Sequence, residues 1–337
     1  MSNLVKPIYL AIIIMLLLNF TFSYLLNVGN INPLSTPDAI RYFIEASGER
    51  AYERSGGFYF PITETYGAVL NFFFNLGFNT PELLLIANYI FIFLSIYFIY
   101  LVAELFKKPS VLISAMWLAI SPSVTDLNVQ LLKESFLILC LSASIYLFFI
   151  KKFFWLILLV LFSSLVRPYF AYYIFLFFIF FGICSFTKGL RLILYSNLIF
   201  GMFLLSIWPE IYVYSYAAFL FIPTIWSTDN LLSFSLPTIE FTLVTILFVI
   251  ASISSVSRLK IFFFSTISIA NLIFCISFWR LMFGEQTWEA GQVLVDNFYR
   301  KKLVLVYLVI YYLSFFLTDR GVSYNSTFNS RAQKIII

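Results

Sequence analysis

The chain contains no histidine and only three cysteines, and both shortages narrow its chemistry. Without imidazole there is no histidine general base, no haem ligand and none of the commonest metal ligand. Cys140, Cys184 and Cys275 all fall in apolar runs, where buried, inert thiols are expected. Neither a disulfide framework nor a zinc site is implied. Charge is scarce too: 21 basic and 16 acidic residues make up 11% of 337 positions. The net charge of +5 needs no nucleic-acid partner, because membrane orientation accounts for the basic residues. What fills the space is hydrocarbon, with 62% hydrophobic residues and a mean hydropathy of +0.96. That lies far outside soluble globular usage.

Hydrophobic runs recur from Pro7 to Leu317 with short interruptions, and several match a bilayer core of roughly 30 Å. The expected fold class is an all-α polytopic membrane protein; a β-barrel would alternate apolar and polar residues instead. About ten spans are expected, within a range of nine to twelve: 7–26, 83–106, 110–124, 135–150, 153–166, 169–186, 191–209, 238–257, 261–279 and 303–318. The first is too long for a signal-peptide core and lacks a small-residue cleavage site, so it reads as an uncleaved anchor. Residues 66–78 and 211–237 are too interrupted to assign; their Tyr, Trp and Pro suggest interfacial or re-entrant segments on the outer face.

Orientation follows from the basic residues. With the N-terminus inside, Lys6, Lys107, Lys108, Lys151, Lys152, Lys188, Arg191, Arg258, Lys260, Arg320, Arg331 and Lys334 all fall on the inner side. Of 16 acids only Glu104 and Asp319 do so. One cluster, Arg300-Lys301-Lys302, falls outside; either the last span is misplaced or these cations bind an anion. There is no internal repeat and no soluble domain. Residues 1–318 are expected to form a single transmembrane domain with outer loops 27–65, 125–134, 211–237 and 280–302, followed by a short cytoplasmic tail, 319–337. This places a multi-pass protein in the cell inner membrane, both termini cytoplasmic and the active face periplasmic.

Chemistry should gather where such a chain tolerates charge. Loop 27–65 carries Asp38, Arg41, Glu45, Glu49, Arg50, Glu53, Arg54 and Glu64. Helical spacing puts Asp38, Arg41 and Glu45 on one face, with Thr36 as N-cap and Pro37 at the first helical position. On spacing alone Asp38 merely stabilises a helix N-terminus and Arg41–Glu45 is a solvated pair. A second constellation is Asp126 with Lys133-Glu134 at the start of a span, where a mid-helix charge would cost about 2.5–3.5 kcal/mol. Lys133 either faces a cavity or partner, or snorkels to the interface; both readings stand. A third is Arg167-Pro168-Tyr169, whose guanidinium needs a distant carboxylate, a phosphate or a lipid headgroup. The fourth comprises Trp279-Arg280, Glu285, Trp288-Glu289, Asp296 and Arg300-Lys301-Lys302, suited to a sugar platform with a phosphate clamp and equally to an interfacial belt.

Taken in order, Pro37-Asp38-Ala39-Ile40-Arg41-Tyr42, Ser121-Pro122 with Lys133-Glu134, and Leu165-Val166-Arg167-Pro168 resemble the GT-C membrane glycosyltransferases. The nearest likeness is to dolichyl-phosphate-mannose-protein mannosyltransferase-like proteins of bacterial polysaccharide clusters. It covers about residues 1–210, and its motifs are loose. The resemblance implies a hexosyl transfer, inverting, from a polyprenyl-phosphate-linked sugar to a glycan or lipid-linked acceptor in surface polysaccharide synthesis. It makes Asp38 the catalytic base; Lys133, Arg167 and Arg280 are candidates for the donor phosphate, with Arg41, Tyr42 and Glu134 in support. Membrane lipids are the other partners, and no nucleic acid is expected. No cofactor is indicated; a divalent cation is chemically admissible but not called for. Two departures stand out: Ala39 follows Asp38 where the family often has a second acid, and no soluble outer domain is expected.

Three other activities compete with this one. An O-antigen or capsule repeat-unit polymerase would lead with Arg167 and Arg280 and leave Asp38 secondary. An O-antigen ligase relies on an outer-loop histidine that this chain lacks. A lipid-linked oligosaccharide flippase or transporter would distribute charge through its spans, and these are nearly charge-free.

Overall fold

The computed structural model describes residues 4–26, 33–34, 37–48, 64–167, 169–181, 183, 188–207, 209, 236–283 and 292–316. Among them every regular element is helical, and no strand occurs. The chain divides into two compact units, residues 1–171 and 172–337.

The first unit begins with α1, Val5–Leu26, which packs on α4 and α5. Two shorter helices follow, α2 (Pro37–Ala46) and α3 (Glu64–Asn75), packed against each other. Pro37 opens α2, where its missing N–H costs nothing, and Asp38 occupies the first turn near the positive dipole end. The Thr36 cap lies outside the described residues. The helix stops at Ala46, with Gly48 at φ +84° closing the turn by donating its N–H to Glu45 O (3.2 Å). Asn71 of α3 donates to Ala46 O at 2.7 Å, tying the end of α2 to its neighbour. Thus part of the segment left unassigned in sequence, 66–78, is a regular helix.

The long helix α4, Pro81–Phe106, is the pillar of this unit. Thr80 caps it by accepting the Leu83 N–H, Pro81 takes the first position, and Lys107 ends it in left-handed conformation. Next comes a 3-10 turn, Pro109–Val111, then α5 (Leu112–Ile120) and α6 (Pro122–Asn128). The expected span 110–124 is therefore broken at Ser121. Pro122 forces its predecessor out of the helical region, and Ser121 is extended at φ −62°, ψ 126°. Its hydroxyl then accepts the Val124 N–H and caps α6. α7 (Glu134–Phe149) packs along α4, and α8 (Phe153–Val166) along α7. Phe154, Trp155, Ile157, Leu158 and Leu161 of α8 are exposed, as a lipid-facing stripe would be.

α9, Phe170–Phe180, crosses the boundary between the units. The second unit contains α9 from Tyr172 onward, α10 (Lys188–Ile207), α11 (Leu236–Ile253), α12 (Val256–Phe283) and α13 (Gln292–Phe316). Phe180 stacks on Tyr312 (5.2 Å between ring centres) and meets Phe248 edge-on. A polar knot crosses these helices: Asn197 Nδ2 donates to the Tyr172 hydroxyl, Ser268 to Asn197 Oδ1, and Asn271 to Asn197 O. The last helix begins at Gln292 rather than at 303, so Arg300-Lys301-Lys302 lie within it instead of preceding it.

Among the described residues, three helical stretches are long and apolar enough to cross a membrane: Val5–Ser23, Pro81–Phe106 and Lys188–Ile207. Several shorter apolar helices accompany them. The molecule is an all-helical protein whose apolar helices suit a membrane.

Candidate functional site

Three charged segments far apart in sequence meet in the first unit. Arg167 ends α8 in an extended conformation, as a residue preceding proline should, with its N–H on Ser163 O. Its Nη2 reaches Glu134 Oε1, at the head of α7, at 3.3 Å. The Glu134 side chain is 2% exposed and that of Arg167 17%. The distant carboxylate that Arg167 requires is therefore 33 positions upstream.

Lys133 is buried, 3% exposed, and does not snorkel. Its ammonium donates to Val166 O at 3.2 Å and stands 5.5 Å from the centre of the Tyr42 ring. Burial, then the nearby Arg167 charge, push its pKa well below the ordinary lysine value; Glu134 and Asp38 pull the other way. Arg167 moves oppositely. Burial works to lower its pKa but is outweighed by Tyr169, Glu134, Tyr42 and Asp38, so the guanidinium stays charged.

The acid-bearing helix α2 lies alongside. Asp38 is partly exposed, and its charge acts on Tyr42, Lys133 and Arg167. Tyr42 is 1% exposed and, mainly through burial, its hydroxyl is held protonated far above the usual range. Arg41 sits over the same ring (5.1 Å) and pairs through Nε with Glu45 Oε1 at 3.0 Å. Only half of this pair is solvated as spacing suggested: the Arg41 side chain is 32% exposed, but that of Glu45 only 6%, because α3 packs over it at Gly67. Glu45 therefore belongs to the packed wall, not to solvent.

Asp38, Arg41, Tyr42, Lys133, Glu134 and Arg167 are thus brought into one neighbourhood. Arg280 is on α12 in the second unit, and its side chain lies outside the described residues, as do those of Asp126, Trp288 and Arg300-Lys301-Lys302. Cys140 is buried, as its apolar run implied; the side chains of Cys184 and Cys275 are outside the described residues. Among the described residues no group of three or more Cys, Asp or Glu is arranged to hold a metal ion.

The scaffold behind these charges is not legible in the sequence. Asn88 of α4, fully buried, donates to the carbonyls of Gln130 (2.7 Å) and Asn128 (3.3 Å). Tyr66 of α3 donates to Leu132 O (3.0 Å) and lies 3.3 Å from Asn88 Oδ1. Ser135 bonds to Asn128 Oδ1, and Leu131 N–H reaches Pro33 O. Asn88 carried a usable signal, being a lone amide deep in an apolar helix. Tyr66 carried none, as one of 22 tyrosines. Comparison with known proteins gives no matching family model, and no similar curated protein or solved structure.

Proposed function

We propose that the chain is a membrane glycosyltransferase that moves a sugar from a polyprenyl-phosphate donor to a glycan or lipid-linked acceptor at the outer face of the inner membrane. About ten spans with both termini cytoplasmic complete this reading, which rests on the inward distribution of basic residues. The observation that carries it is the approach of a partly exposed acid, Asp38, to two cations, Lys133 and Arg167, held at the ends of apolar helices.

That pairing suits the chemistry. Asp38 takes the proton from the acceptor hydroxyl as its oxygen bonds to the anomeric carbon. The bond from that carbon to the phosphate oxygen breaks, and the polyprenyl phosphate leaves with the electron pair. It departs as a stable anion, so no general acid is needed, only positive charge. Arg167 is the better placed of the two cations, since its side chain keeps some exposure while the Lys133 ammonium is turned inward. Arg41, Tyr42 and Glu134 support these groups, and Arg280 remains a candidate on sequence grounds.

The test is transfer from a synthetic polyprenyl-phospho-sugar in reconstituted membranes. Loss of a general base costs about 10²–10⁴-fold, so Asp38→Asn should reduce transfer at least ~100-fold. Full activity in that variant sinks the reading. The same position of Arg167 also serves a repeat-unit polymerase. That alternative wins if Arg167→Ala and Arg280→Ala abolish long-chain polymer, single repeats still accumulate, and Asp38→Asn is silent.

A further inference from the structure

Tyr66 links the acid-bearing helix to the turn that carries Lys133 and Glu134. Its ring meets Tyr42 of α2 edge-on, 4.9 Å between centres. Its hydroxyl holds Leu132 O, the carbonyl immediately before Lys133, and approaches Asn88 Oδ1. Asn88 in turn grips the carbonyls of Asn128 and Gln130. The backbone carbonyls held in this way belong to the last residue of α6 and to the turn that joins it to α7. By backbone, that stretch is tied by Val129 N–H to Thr125 O, Leu131 N–H to Pro33 O, Leu132 N–H to Gln130 O and Leu137 N–H to Lys133 O. Both Tyr66 and Asn88 are completely buried, so neither can touch a substrate.

We infer that Tyr66, backed by Asn88, is the positioning residue that sets the spacing between the acidic and cationic walls of the site. The ring fixes α2, and with it Asp38; the hydroxyl fixes the turn, and through Glu134 it fixes Arg167. The two functions are chemically separable. Tyr66→Phe removes the oxygen and leaves the edge-on ring, so it frees the cationic wall while the acid wall keeps its packing. Donor phosphate recognition then suffers, and the proton-accepting step does not. The enzymatic half of this inference rests on the glycosyltransferase reading; the mechanical half does not.

The experiment uses the full chain in lipid nanodiscs, with amide hydrogen exchange and steady-state transfer measured on the same preparations. Tyr66→Phe should speed exchange at Leu131, Leu132 and Lys133 about 10-fold or more, with α4 and the body of α7 unchanged. The kcat/KM for the polyprenyl-phospho-sugar should fall about 10-fold while the pH profile of transfer is unmoved. Asn88→Ser, which loosens the same turn from the other side, should act alike. A purely structural role would instead lower the folded yield and accelerate exchange throughout the unit, leaving kcat/KM per folded molecule unchanged; that result overturns the proposal. So does undisturbed exchange in the turn. If the unmutated protein shows no transfer, the glycosyltransferase reading fails and the exchange data alone decide the positioning role.

Discussion

The Arg167–Glu134 pair offers the sharpest test of how the site is held together. Glu134→Gln keeps the volume of the side chain and deletes its charge. It leaves the Arg167 guanidinium near the Lys133 ammonium, with Asp38 the remaining acid acting on both. Breaking one partner of a fully buried pair costs about 3–5 kcal/mol, whereas an exposed pair is worth ~0–1 kcal/mol. Glu134 is at the buried limit, but Arg167 retains some contact with water, so the expected loss lies between them, about 2–3 kcal/mol. Arg167→Met should cost a comparable amount, by stranding the carboxylate. The double variant should recover most of it, because an apolar replacement of a buried pair is often close to neutral. The measurement is a double-mutant cycle on unfolding in micelles, and the coupling energy should be about 2 kcal/mol. It should also survive high salt, since a pair shielded from solvent is screened little. A coupling below about 0.5 kcal/mol, or one that vanishes with added salt, would show an ordinary surface pair and refute the reasoning.

Packing and pH provide further tests. A Cβ at Gly67 would fall on the Glu45 side chain, its Cβ included, so Gly67→Ala should push α2 off α3 and cost about 1–3 kcal/mol. Gly189→Ala, whose added methyl meets nothing within 4 Å, should be neutral or stabilising by up to about 1 kcal/mol in the same unfolding assay. Lys133 titrates below its unfolded value of about 10.4, so between those two pH values the unfolded chain binds more protons than the folded one. Stability should therefore rise with pH through that window and level off above it. Lys133→Met should flatten this slope; an unchanged slope would mean that another group is responsible.

Much of the helical layout could be read directly from the residues. Long apolar runs define α1, α4 and α10, and Pro37 marks the start of α2, because hydropathy and backbone restrictions act locally. The break at Ser121 was equally local and was written in Pro122, although an unbroken apolar run masked it. The rarity of charge also singled out Asp38, Lys133, Glu134 and Arg167 as the residues to watch. In an apolar chain, each such residue must justify its desolvation.

How those residues are disposed was settled only in three dimensions. Nothing near Arg167 in sequence announces that Glu134 is its partner, nor that Lys133 turns inward to Val166 O and the Tyr42 ring. Glu45 looked like a solvated member of an i,i+4 pair until Gly67 allowed α3 to close over it. Tyr66 and Asn88 acquire meaning only from carbonyls 40 to 66 positions away. The amino-acid sequence by itself determined where the long apolar helices run and which few side chains carry charge, since both follow from residue-by-residue chemistry. The tertiary structure decided which charges face one another and which lose contact with water, because burial and pairing depend on helices that meet across long stretches of chain.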